Sequence, residues 1–322
     1  KEQFMRDLLK NLPLPITGLM LGFAALGNLI QSYSKTLRGI FGLISAIIFI
    51  LVISKIALFP EDVKNDLKNP IVASVFPTFS MAMMLLATYI IPFNGFVAKL
   101  FWFVGLILHI VLITRFTQKF LLNNNYNIKK VFPSWFIPYV GIAIASVTSN
   151  AVGLRPMGKA SFVFAFISFI ALLPVILKRV FITKEIPKPA IPTIGILAAP
   201  ASLCLAGYIN LFEIKSIMFV YALLVIAQLL YWGVIFCLPK MLKHPFYPSY
   251  SGLTFPLVIG GQALKLASGF LIELGNPISL ILKLVVVEEI IAVIACIYVL
   301  IRFFGYLFMK KIQLGGFDNV KN

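Results

Sequence analysis

The chain has 322 residues, of which 60% are apolar and only 12% charged, with a mean hydropathy of +0.99. A soluble domain carries about a quarter charged residues, so a water-soluble fold is excluded and lipid is the expected solvent. The net charge of +17, from 28 Lys and Arg against 11 Asp and Glu, then reads as cationic loops on the cytoplasmic face of a membrane, and no nucleic-acid partner is expected.

Taken in order, the apolar runs predict ten transmembrane helices in a single all-α membrane domain over 1–322. A spanning helix needs about 20 mostly apolar residues. The chain opens on Lys1 with no Met and no cleavable signal pattern, so part of the natural N-terminus is expected to be missing. The first run, 13–34, starts at Pro13 and carries Met20, Gly22 and Ala25; the second is 37–59. The third, 71–91, follows Pro70 and has Phe76 and Pro77 inside it; the fourth, 96–118, carries His109 alone. The fifth, 132–152, holds Pro133, Pro138 and Gly141, and nothing between Val131 and Leu154 is charged. The sixth is 157–178, with Pro174 near its end, and the seventh, 190–211, follows Pro189 and contains Pro200. The eighth is 214–238. The ninth, 247–271, holds Pro248, Phe255, Pro256, Gly260 and Lys265, and the tenth, 279–307, is interrupted by Glu288 and Glu289. The period-two alternation of an outer-membrane barrel is absent, which leaves helices to satisfy the backbone in lipid.

Of the 28 cationic residues, 20 fall at the termini and in the even-to-odd connections, 7 fall in the odd-to-even ones, and Lys265 lies within a span. That bias places both termini in the cytoplasm of a multi-pass plasma-membrane (cell inner membrane) protein with lipid around it. The odd runs resemble one another. Each begins near a proline, and four have a second proline at matching depth: Pro77, Pro138, Pro200 and Pro256, with Met20 at the comparable place in the first. A mid-helix proline frees a carbonyl and bends the helix, which lipid tolerates only where protein or a wet cavity covers the freed group. Small residues follow these prolines, among them Gly22, Ala25, Gly141 and Gly260, and suit either close helix packing or the smooth wall of a pore. The expectation is five helical hairpins, the kinked odd helices forming a central pore and the even helices an outer ring.

This pattern resembles the tellurite-resistance/dicarboxylate transporter family, which includes bacterial TehA-like proteins and the slow-type anion channels of plant guard cells. Pro13-Leu14-Pro15-Ile16-Thr17-Gly18 followed by Leu21-Gly22-Phe23-Ala24-Ala25-Leu26 looks like the family's first helix, with Met20 where a proline is usual. Ser251-Gly252-Leu253-Thr254-Phe255-Pro256-Leu257 is similar to its aromatic-rich stretch around a gating Phe. The resemblance covers about residues 10–310 and implies a homotrimer, a pore in each protomer, movement of small anions, and Phe255 as the plug of that pore. Kinked helices offer backbone N–H groups as mild anion partners, which suits low selectivity.

Other residues are weighed on their own chemistry. Phe76, before Pro77, reads as packing rather than as a second gate. Lys265 lies ten residues past Phe255, about 15 Å outward at the helical rise. It is expected to pair with Glu288 or Glu289; a proton-coupling carboxylate and simple interfacial placement are the alternatives. His109 reads as a hydrogen-bonded packing residue, His244 as solvated, and Cys204, Cys237 and Cys296 as small apolar packers. Asn28, Asn150 and Gln262 line the pore or cap helices. The acidic loop Glu61 to Asp66 raises a membrane prenyltransferase, but a single cluster interleaved with Lys64 and Lys68 reads as a solvated loop. No metal site, no cofactor and no catalysis are expected. The leading function is passive or gated anion flux. The alternative is a proton-coupled carrier of C4-dicarboxylates such as malate, or of sulfite or tellurite, and the enzyme is the weakest reading.

Overall fold

A computed structural model describes residues 2–122 and 128–318, and among them the fold is helical with no strand. Lys1 and Lys321, both counted in the charge asymmetry, lie outside the described residues. The helices are α1 (Glu2–Asn11), α2 (Ile16–Ile30), α3 (Lys35–Leu58), α4 (Pro60–Asp66), α5 (Pro70–Ile90), α6 (Gly95–Leu122), α7 (Pro133–Thr148), α8 (Arg155–Thr183), α9 (Lys188–Leu211), α10 (Ile217–Met241), α11 (Pro248–Glu273) and α12 (Ser279–Asp318).

Eight of these are long and apolar enough to cross a membrane, and a ninth if the end of α1 and α2, which meet at 95°, count as one bent span. The expected ten is therefore met by eight or nine. The shortfall falls on two runs rich in proline. Pro13 and Pro15 cut α2 to 15 residues, and α7 is a shorter apolar helix, both below the roughly 20 residues a straight span requires. Lys55, itself buried, holds the α1–α2 bend in place. It donates to the carbonyls of Lys10 at 3.2 Å and Leu12 at 2.6 Å and sits 3.3 Å from Asp66.

Burial divides the long helices into two sets. Over their apolar stretches α5, α9 and α11 are buried along 72–89% of their length, whereas α3, α6, α8, α10 and α12 are buried along 28–33%. Every residue of α2 except Asn28 is buried, and α7 is buried apart from Tyr139 and Val147. The second set turns Leu43, Ile50, Ile107, Ile167, Leu229, Phe236 and Ile294 outward, the surface that lipid would solvate. The buried set forms a closed ring: α2 packs on α5, α5 on α7, α7 on α9, α9 on α11, and α11 returns to α2. Each less buried helix packs against the inner segment preceding it in sequence. The first halves of α5 and α11 also touch across the ring, which narrows it at the end nearer α1.

Ser34, Asn94 and Ser216 cap the outer helices α3, α6 and α10, each accepting from the backbone N–H three residues on. The inner segments α5, α7, α9 and α11, and the outer α8, begin with proline in the first turn, where a missing N–H costs nothing, and Asn69 also caps α5. All four inner segments then break at mid-depth. α5 turns at Phe76–Pro77, α7 tightens at Gly141–Ala143, α9 changes from a long 3₁₀ stretch to α-helix at Ala199–Pro200, and α11 makes the same change at Leu253–Thr254. Each inner segment has a hydroxyl that serves a carbonyl near its break or its start. Thr17 donates to Leu14 O, Thr78 to Val75 O, Ser146 to Ala143 O, Ser202 to Ala198 O and Thr254 to Ser251 O, all within 3.0 Å. This lets the backbone depart from α-helix at membrane depth without stranding polar groups.

Candidate functional site

The breaks converge on the axis of the ring. The switch from 3₁₀ to α-helix at Thr254 leaves Phe255 in the first α-helical turn of α11, followed at once by Pro256. Phe255 is only 5% exposed although it lies beside open space. On the α1 side is a cavity of about 30 Å³, walled by Gly18, Thr78, Gly141, Pro200, Ser251 and Pro256 among others. On the opposite side is a cavity of about 360 Å³, whose wall includes Ala25, Asn28, Arg38, Thr88, Thr148, Asn210 and Gln262. Phe255 is the one residue common to both walls. The smaller cavity is almost wholly apolar and holds about one water's volume, so an ion there would lose its hydration without replacement. The larger is polar, and Arg38 is its only charged lining residue.

The other predicted residues separate into wall and scaffold. Ala25, Gly141, Pro200 and Pro256 stand on the cavity walls. Met20 is fully buried, its carbonyl accepting from Ser45 Oγ at 2.8 Å. Gly22 faces Thr254, where an added Cβ would come within 2.6 Å of the threonine's own Cβ. Gly260 faces the ring of Tyr231 on α10, 2.3 Å from where a Cβ would sit, so it packs outward instead of lining the pore as expected. Pro77 marks the break in α5 and lines neither cavity, and Phe76 leaves the axis to stack on Phe79 with ring centroids 5.8 Å apart. Pro138 also lies off the cavities; its carbonyl accepts from His109 Nε2 at 3.1 Å, while Ser80 Oγ lies 2.8 Å from Nδ1.

Lys265 Nζ lies 2.7 Å from Glu289 Oε1 and donates to Leu29 O and Ser32 Oγ. Tyr33 donates its hydroxyl to Glu289 Oε2 at 2.7 Å, and this hydrogen bond pushes the phenol above its usual pKa. Glu288 faces elsewhere: it is fully buried beside Gln228 of α10, and among the described residues no hydrogen bond of ordinary geometry reaches either carboxyl oxygen. In the acidic loop, Glu61 pairs with Lys64 and Asp66 with Lys55, an arrangement of a tied loop and not of a diphosphate site. Asn28 and Gln262 line the larger cavity, whereas Asn150 is exposed and lines neither cavity.

Sequence reading counted Arg38 only as a loop charge. Yet Asn28 and Arg38 stand five residues either side of Tyr33, the centre of the α2–α3 turn, and a tight antiparallel turn brings such residues side by side. The hydroxyls at the breaks were missed for a different reason: Ser and Thr are common in any chain, and only the breaks give these five a shared place.

The family model described as voltage-dependent anion channel (SLAC1) matches residues 11–307, nearly the whole chain. The chain belongs to the voltage-dependent anion channel family. Membership agrees with the resemblance carried by the first and ninth apolar runs. Among relatives, an uncharacterized transporter of Methanocaldococcus jannaschii is 23% identical over 225 residues, covering 62% of this chain and 65% of its own. The tellurite resistance protein TehA homolog of Haemophilus influenzae is 24% identical over 205 residues, covering 62% of each chain. The matched stretch thus spans less than two thirds of either relative's length. In a protein of the voltage-dependent anion channel family, a ring with a cavity at each end and one aromatic side chain between them is the feature on which transport can turn.

Proposed function

We propose that this protein carries small anions across the membrane through the ring of five inner segments, with Phe255 as the gate. The observation that carries the reading is that Phe255 alone borders both cavities. A ring at that place blocks an ion sterically and by dewetting, and a rotamer change or a small shift of α11 opens the way. Family membership and the TehA-like relative support anions as the cargo. In this reading α2 and α7 also cross, giving ten spans as five hairpins, because a broken inner segment shielded by outer helices need not be a full straight span. The termini lie in the cytoplasm, each protomer of a homotrimer has its own pore, and no catalysis is involved.

The test is flux in proteoliposomes under a chloride gradient, comparing the wild type with Phe255→Ala. A large rise in chloride flux without proton movement supports a gated channel. Equal flux from the two, with the variant folded and inserted, removes Phe255 as the gate.

A second reading rests on Glu288, a buried carboxyl in a membrane-spanning helix with no cation within salt-bridge distance among the described residues. Such groups serve proton coupling in carriers. A carrier of dicarboxylates, sulfite or tellurite predicts saturable flux with stoichiometric proton uptake, lost in Glu288→Gln.

A further inference from the structure

The larger cavity contains a fixed positive charge with no carboxylate against it among the described residues. Arg38 enters from the first turns of α3, and three contacts hold its guanidinium. Nε donates to Asn28 Oδ1 at 3.1 Å, Nη2 donates to the carbonyl of Thr88 at 3.1 Å, and the group lies 4.5 Å over the ring of Tyr89. Each holder is itself held. Asn28 Nδ2 donates to Thr88 Oγ1 at 3.3 Å, and Tyr89 donates to Ala24 O at 2.7 Å. The side chain therefore does not sweep the cavity as a loose arginine would; its plane is set before any ligand arrives.

Nε and Nη2 are thereby taken up and the Tyr89 side chain lies against the group, while no hydrogen bond of ordinary geometry is made by Nη1 among the described residues. Among the described residues no carboxylate lies within 4.0 Å of Arg38, and no residue lining the cavity is acidic. Lys265, nearby in sequence terms on α11, is the opposite case: Glu289 lies against its ammonium and cancels it. Gln262, seven residues past Phe255 on α11, stands on the same wall. A preset cation in a wall that carries no acidic residue defines a receptor for an anion. One charge-assisted donor group, with the rest of the shell left to water, gives a weak site, which is what a conduction pathway requires.

We infer that Arg38 forms a binding site for one small monovalent anion, a halide or nitrate, in the larger cavity, where it raises the local anion concentration ahead of Phe255. Its consequence for flux rests on the transport reading above; its occupancy does not. The experiment has two arms on the full-length protein. In the first, crystals of the wild type, Arg38→Lys and Arg38→Gln are soaked in bromide and the anomalous signal is mapped. In the second, chloride flux is measured in the Phe255→Ala background with and without Arg38→Gln, with chloride supplied from the cavity side, at low and at high ionic strength.

The expected results are a bromide peak beside Nη1 in the wild type that vanishes in Arg38→Gln, and a flux lowered roughly tenfold by Arg38→Gln at low ionic strength, the lower end of what a cleft of one charge sign achieves. High salt should erase most of that difference by screening. Arg38→Lys, which keeps the charge and loses the held plane, should retain part of the flux. Should the glutamine variant fail to fold, the wild-type peak and the lysine variant decide. No bromide at Arg38 in the wild type, or flux insensitive to Arg38→Gln at every ionic strength, overturns the site while leaving transport standing. A bromide peak lost in Arg38→Gln with no flux in any variant supports the site and removes the transport reading instead.

Discussion

Phe255 and Phe76 both precede a proline at a break, yet they end in different places. Phe76 turns toward its own outer neighbours, continuing a stack from Phe79 to Phe49. Phe255 turns to the axis, because Gly22 lets α11 approach α2 at that level. Replacing Phe76 by Ala should therefore cost about 3 kcal/mol through the lost contacts and the cavity left behind, without raising flux, whereas Phe255→Ala, at an equally buried position, should carry a similar cost and raise flux. Unfolding curves and flux on the same preparations separate the two; a leak from Phe76→Ala as large as that from Phe255→Ala would refute the assignment. The adjacent carboxyls make a second contrast. Glu289→Gln takes the counter-charge from Lys265 and should destabilise by about 2 kcal/mol, discounted because the lysine is 28% exposed. Glu288→Gln keeps the shape of a group that faces no cation among the described residues and should be neutral or slightly stabilising. Thermal melts in one detergent test both, and a Glu288→Gln loss equal to that of Glu289→Gln would show a partner at Glu288.

At the scale of helices, proline and glycine divide the work. Proline places the breaks, since a missing N–H and a ring clash act on the local backbone whatever lies nearby. Glycine decides which helices come close. An added methyl at Gly22 meets Thr254, and at Gly260 it meets the Tyr231 ring, whereas Gly269, further along α11, has nothing within 4 Å. Gly22→Ala and Gly260→Ala should each cost about 1–3 kcal/mol as overpacking. Gly269→Ala should be neutral or stabilising, since alanine favours the helix by about 1 kcal/mol over glycine. The measurement is the melting temperature of the three single variants; equal shifts would show that helix propensity and not close approach governs these positions. Proline spacing made the alternate kinks legible. The division of the small residues into packing contacts and cavity wall was not, because it depends on what each meets across the interface.

For the whole molecule, the charge of the connections sets sidedness. The connections on the α1 face are tied to one another. Lys119 donates to Leu67 O, Arg179 donates to the carbonyls of Lys129 and Glu185, and Lys129 pairs with Glu185, whose carboxyl this lysine holds below the usual carboxylate range. That face carries most of the cations, so it is predicted to lie in the cytoplasm. A single Cys placed near Lys310 should resist membrane-impermeant thiol reagents in intact cells and react after permeabilisation; labelling from outside would invert the topology. With that orientation, the polar cavity and Arg38 face the outside, and the narrow apolar cavity lies between Phe255 and the cytoplasm.

Much of this was written in the sequence by itself. The apolar runs and their prolines determined the helical membrane fold and the approximate place of the breaks in α5, α7, α9 and α11, because helix length in lipid and the missing proline N–H are properties of a few consecutive residues; the motifs of the first and ninth runs carried the resemblance to the family. The count of full-length spans went astray only where prolines shortened α2 and α7. Tertiary structure alone decided that Gly260 packs on Tyr231, that Glu289 and not Glu288 meets Lys265, and that Arg38 stands in a cavity with no acidic lining residue. Those outcomes depend on the rotation of each helix about its own axis. That rotation is set when five inner segments close into a ring, and no single segment contains it.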